Sequence, residues 1–144
     1  MRFVKQLFRH DPANGVYGDC YRTVVACLLD LDHDHVPHRH EVLSNEEQCG
    51  SMDAFLRDRG VHTIRIALNG GDVDGALAVA ATLSDGLPYL FSGQSRNGTN
   101  HVVIARDDRI VHDPSLDESG IVGPTDVGQF WVEWLVLPLK GYPV

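Results

Sequence analysis

Long apolar runs are missing from this chain. No stretch approaches the ~20 apolar residues of a membrane span, and Met1 to His10 hold no apolar run of signal-peptide length. Cysteine is scarce. There are three, Cys20, Cys27 and Cys49, and no C-x-x-C pair, so neither a disulfide scaffold nor a zinc ribbon is expected. Basic residues are outnumbered, 12 Lys and Arg against 20 Asp and Glu, for a net charge of -8 at pH 7. That balance argues against a nucleic-acid backbone or an anionic membrane as the main partner. Gly70-Gly71 lacks the strand and helix context of a phosphate loop, and no cofactor is expected. No internal repeat or linker divides the sequence. These absences leave a single domain over residues 1–144, expected to be cytoplasmic and reduced.

What is present alternates between helix and strand patterns. Residues 3 to 8 suit a short strand or an extended arm, and Asp11 to Gly15 carry turn signals. A first helix is expected from about Asp19 to Leu31, apolar nearly all round and therefore central. Ser44 with Glu47 makes a capping box for a second helix, which puts Cys49, Met52, Phe55 and Leu56 on the core side and ends at Gly60. Residues 61–68 read as a strand whose core face is His62, Ile64, Ile66 and Leu68. Asp72 caps a small-residue helix over 72–83. Strands are then expected over 86–92, 101–105 and 109–114. Residues 93–100 form an eight-residue polar loop between the first two of these, Asp107-Asp108 a turn, and 115–129 a long loop. A final strand, 130–137, closes the sheet. The segment Asp32 to His40 is rich in histidine, but its spacings match no zinc pattern and Pro37 interrupts it, so no metal site is expected.

The chemistry concentrates at Gly18-Asp19-Cys20. Gly18 permits a sharp turn. Asp19 is a favoured N-cap whose carboxylate can take the first free N–H groups of the helix. Cys20 then stands at the positive end of the helix dipole, where thiolate is favoured. A thiol nucleophile needs a base, and the base needs a partner that fixes its orientation. His101 opens a strand, and Asp113 ends the next one. A two-residue turn at Asp107-Asp108 would put His112, not Asp113, on the side of His101. We therefore expect a longer turn or a bulge that sets Asp113 opposite His101.

Helix first and sheet second, with these three residues in this order, resembles the papain-like cysteine peptidases. Asp19-Cys20, His101-Val102-Val103 and Asp113-Pro114 are most similar to the branch of C39-like, bacteriocin double-glycine leader peptidases. The match spans roughly residues 14 to 114. The chain also looks like a group of small uncharacterised phage and bacterial proteins sharing a Gly-x-Cys start, a Val-Pro-His segment and a His-Asp-Pro. The resemblance implies an α+β fold, with the N-terminal helix packed on a twisted antiparallel sheet of about five strands. It implies Cys20 as nucleophile, His101 as general base and acid, and Asp113 as the orienting group. The family places an amide-bearing glutamine six residues before its cysteine as oxyanion donor. Asn14 stands there in this chain, one methylene shorter, with the Cys20 N–H as the second donor.

The expected activity is thiol-dependent hydrolysis of a peptide, isopeptide or related amide bond in a peptide or protein substrate. Gln94, Arg96 and Asn97 are the candidates for substrate contact, because loops placed by a rigid sheet often carry binding groups. Acyl transfer at the same site, or an inactive papain-like module that binds a partner protein, are the alternatives.

Overall fold

In the computed structural model, residues 1–38 and 45–140 are described. Among them three α-helices and five strands follow in the order α1 (Cys20–Leu29), α2 (Asn45–Arg57), β1 (His62–Asn69), α3 (Val73–Ser84), β2 (Tyr89–Gln94), β3 (Asn100–Arg106), β4 (Arg109–His112) and β5 (Gln129–Val136). All sheet pairings are antiparallel, in spatial order β1-β5-β2-β3-β4. The architecture is α+β. Among the described residues no helix is long and apolar enough to cross a membrane.

Each element stops where its local chemistry dictates. α1 ends two residues earlier than its apolar pattern suggests. Asp30 adopts a left-handed conformation with φ 55° and turns its N–H onto Ala26 and Cys27. α2 is closed by Gly60 at φ 72°, and the Val61 N–H reaches back to the Leu56 carbonyl at 3.0 Å. Ser44, expected to open its capping box, lies outside the described residues. α3 is capped as its sequence predicts, with the Asp72 carboxylate accepting from the Gly75 N–H at 2.8 Å.

The helices cover both faces of the sheet. On one face Val24, Val25 and Cys27 of α1 and Met52 and Leu56 of α2 pack over Leu90, Val102 and Ile104. On the other, Ala76, Leu77 and Ala80 of α3 pack over Tyr89, Phe91, Val103, Phe130, Val132 and Trp134. Alternate residues of β2 and β3 therefore serve different helices, which is why both strands are apolar throughout.

Three expectations change. β5 does not close the sheet; it lies between β1 and β2. Its face Phe130-Val132-Trp134 is buried and apolar, and the other carries Trp131, Glu133 and Leu135. In β1 the face counted as solvent is also covered. Arg65 there pairs with Asp53 of α2 and Glu133 of β5, whereas Ile64, expected in the core, is 52% exposed on this edge strand. The polar loop is also shorter than eight residues, because β2 continues through Gln94 and β3 starts at Asn100.

Candidate active site

Cys20 is the first residue of α1, but its surroundings are not built as a simple cap. Gly18 does not have positive φ. Glycine is needed there because a Cβ would lie 2.9 Å from the His10 Cβ, and the Gly18 N–H donates to His10 Nδ1 at 3.1 Å. Nor does the Asp19 side chain cap α1. It is buried, and its oxygens accept from the Leu7 and Phe8 N–H groups at 3.0 and 2.9 Å and from Arg22 at 2.9 Å. The competing donors come from an extended N-terminal arm. Arm donors in fixed positions satisfy a buried carboxylate more completely than frayed helix N–H groups. The first N–H groups of α1 are left without that carboxylate.

The arm ties this helix end to the chain segment that carries the acid. The Gln6 N–H donates to the Pro114 carbonyl at 2.8 Å, Lys5 to the Asp113 carbonyl at 2.8 Å, and Val4 accepts from the His112 ring at 2.7 Å. Phe3 stacks on the same ring. Residues 3–8 form no strand; they act as a strap.

His101 and Asp113 meet through a β-bulge. The Asp107-Asp108 turn is two residues, with Arg106 opposite Arg109, and the register then shifts between Ile104 and Ala105 so that Ile104 faces His112. Continued one step, that register puts Asp113 across from Val103 rather than directly opposite His101. The pair is diagonal on one side of the hairpin, within side-chain reach. His101 Nε2 and Asp113 Oδ1 are 2.7 Å apart. The loop after β4 fixes the carboxylate from behind, with N–H donors from Ser115 at 2.9 Å and Gly120 at 2.8 Å. Gly93, the register partner of His101, lets this loop approach. A Cβ there would fall 2.5 Å from both the Gly123 carbonyl and the Ile121 side chain.

The Cys20 side chain also acts on this ring and favours its protonated form. Burial works against the charged imidazolium. The hydrogen bond to Asp113 and the charge of that carboxylate, together with the Cys20 side chain, outweigh it and raise the His101 pKa from 6.5 to about 9. For Asp113 burial pushes upward, but hydrogen bonds from His101, Ser115 and Gly120 win and hold it well below the usual carboxylate range. The two shifts have opposite linkage signs. The His101 contribution to stability is complete below 6.5 and is lost as pH rises through about 9. The Asp113 contribution is present above 3.8 and is lost as pH falls below it. We expect the His101 ring, followed by NMR, to titrate near 9 in the wild-type protein. In Asp113→Asn its midpoint should move down toward ~6.5.

The other candidates fall differently. Asn14 is exposed in a short 3-10 turn, and its amide donates to the Asp11 carboxylate at 2.7 Å. The nearest strong acceptor has taken this amide, so its expected place at the oxyanion is not the one seen. Gln94 ends β2 and reaches the Gly98 carbonyl at 3.4 Å. Arg96 donates to the Asp117 carbonyl at 2.9 Å, and Asn97 to the Asp117 carboxylate at 3.0 Å. These contacts brace the β2–β3 loop against the loop that holds Asp113. His33 bonds Thr23 at 3.2 Å and His38 stacks on Phe8; His40 lies outside the described residues. Among those described, no three His, Cys, Asp or Glu side chains gather as a metal site. The sequence reading passed over Gln6 and Arg22. Neither has a local pattern that announces its burial: Gln6 follows Lys5, and Arg22 stands between Tyr21 and Thr23. The Gln6 amide donates to the Phe8 carbonyl at 2.6 Å, and its Oε1 is buried without a partner.

Comparison with protein-family models, curated proteins and solved structures gives no match.

Proposed function

We propose that this chain is a papain-like thiol hydrolase acting on a peptide, isopeptide or related amide bond, with Cys20 as nucleophile. The observation that carries the proposal is the Asp113–His101 pair at 2.7 Å, with the Cys20 side chain, at a helix start, acting on the same ring. Asp113 occupies Nε2, so Nδ1 is the ring nitrogen left for the sulfur and the substrate. The imidazolium stabilises a thiolate beside it. The thiolate attacks the carbonyl carbon, and the oxyanion forms against the Cys20 N–H, which the displaced Asp19 carboxylate leaves open. His101 gives its proton to the leaving amine, and an acyl thioester remains. Water then attacks that thioester, with His101 taking its proton and returning it to the sulfur. An incoming amine in place of water would make the same site an acyltransferase.

Iodoacetamide tests the nucleophile. At pH 7, labelling should fall on Cys20 and proceed about tenfold or more faster than on Cys27 or Cys49. Burial raises the pKa of both of those thiols, so they react slowly. Equal labelling of all three, or none at Cys20, would remove the nucleophile from the proposal. The second reading, an inactive module that binds a partner protein, is favoured by one observation. Asn14 is held by Asp11 and supplies no second oxyanion donor.

A further inference from the structure

The sheet face that carries Cys20 is covered only in part. Cys20 and Tyr21 of α1 pack on the cluster that holds Leu90, Val102 and Ile104, and the Tyr21 hydroxyl reaches Glu133 of β5 on the same face. Strand alternation puts Trp131 on that face too, two residues before Glu133. The row through Glu133, Leu90 and Ile104 is buried. One row on, Trp131 stands opposite Ala67 of β1 and Ser92 of β2, and Ser92 opposite Val102 of β3. There the cover ends. Trp131 is 38% exposed although its strand is interior to the sheet, and Ala67 and Ser92 are too small to shield an indole from either side. Tryptophan is on average a highly buried residue, so a bare one in mid-sheet, on the face of the nucleophile, calls for an occupant.

We propose that Trp131 is a stacking platform for an aromatic side chain of the substrate, about three residues from the bond that Cys20 attacks. The inference rests on the thiol-hydrolase reading for that bond, but not for the stacking itself. The row supplies the distance. Val102 adjoins His101 in β3, and Trp131 lies two strands away. At about 4.8 Å per strand the separation is roughly 10 Å, and an extended peptide rises about 3.3 Å per residue. Three residues laid across Ser92 therefore join the platform to the thiol without meeting a bulky side chain. The chemistry of the surroundings selects the occupant. The next row carries Asn69 opposite Gln129 and Gln94 opposite Asn100, all uncharged. A substrate ring gains both burial and an offset or edge-on ring contact on the indole, whereas a leucyl side chain gains burial alone. A Lys or Arg can sit on an indole face, but no side chain in these two rows offers it a carboxylate.

Two measurements separate the platform from the chemistry. The chain has two tryptophans. Trp134 is buried with its indole N–H on Ser84, so its resonance is the internal control. N-acetyl-Phe-Gly-Gly-Gly-amide and N-acetyl-Gly-Gly-Gly-Phe-amide place the ring on either side of the bond. At least one should shift the Trp131 indole resonance and leave Trp134 unmoved. With leucine for phenylalanine, binding should weaken about fivefold, the share that ring–ring contact adds to burial. The better peptide, near saturation, should also slow iodoacetamide at Cys20 severalfold. In Trp131→Leu, which keeps an apolar residue on the strand, phenylalanyl and leucyl peptides should protect Cys20 equally. No shift from either peptide, equal affinity for the leucyl one, an arginyl peptide that binds tightest, or binding that leaves Cys20 unprotected would each overturn the proposal. If Cys20 resists iodoacetamide even without peptide, the hydrolase reading falls, while a phenylalanine-selective shift of Trp131 leaves the platform standing.

Discussion

In His101→Ala, turnover of any amide the protein cleaves falls by about 10²–10⁴, the usual contribution of a positioned acid–base group. The imidazole has two tasks in the proposed cycle. As imidazolium it is the cation that serves the sulfur, and as an acid it protonates an amine that cannot leave as an anion. Its pKa of about 9 means that the second task fails on the alkaline side, so wild-type kcat/KM should decline as pH rises through that value. The variant should have no such limb. The substitution leaves Asp113 with its Ser115 and Gly120 donors, so the loop behind it keeps its anchor. Added imidazole should restore part of the rate, because the vacated space adjoins both groups it must serve. Turnover within a few-fold of wild type, or loss that imidazole cannot touch in a protein whose fold has collapsed, would take His101 out of the mechanism.

The order of elements was legible because periodicity alone separates α1, α2 and α3 from the strands. The middle of the sheet was not. Nothing local says that β5, last in the chain, inserts between β1 and β2. The Cys20 and His101 positions were legible as types at element starts. Asp113 required a register shift, and the bulge at Ile104/Ala105 has no glycine to announce it. The roles of Asp19 and Asn14 failed for one reason. Each polar side chain took the nearest well-placed partner, Leu7 and Phe8 N–H for Asp19 and the Asp11 carboxylate for Asn14. Those partners are set by tertiary contacts and by turns too short to have a pattern. Arg65 was assigned to solvent by strand alternation. That rule holds only where one face of a sheet is bare, and here α2 covers it.

The largest stability effect should come from Arg65. Its guanidinium joins four elements: Asp53 of α2, Glu133 of β5 at 2.9 Å, and the Tyr21 hydroxyl of α1 at 3.1 Å, all from β1. The Tyr21 hydroxyl in turn donates to Glu133 at 2.7 Å. Burial pushes the Glu133 pKa up despite the hydrogen bonds from Arg65 and Tyr21. Arg65→Met fits the space but leaves two carboxylates without their cation. Breaking a buried pair from one side costs about 3–5 kcal/mol, a large share of the ~5–15 kcal/mol of a typical domain. Urea unfolding should register that loss directly. Arg65→Met combined with Glu133→Gln should recover part of it, because the stranded charge is gone; a purely additive result would mean the two do not interact. The effect should also reach the sulfur. Tyr21 follows Cys20 in the first turn of α1, and the network holds that turn against the sheet from the side opposite the arm. Loss of Arg65 should therefore slow alkylation of Cys20 even under conditions where the variant remains folded. If stability drops and the alkylation rate does not, the network braces the domain without positioning the thiol.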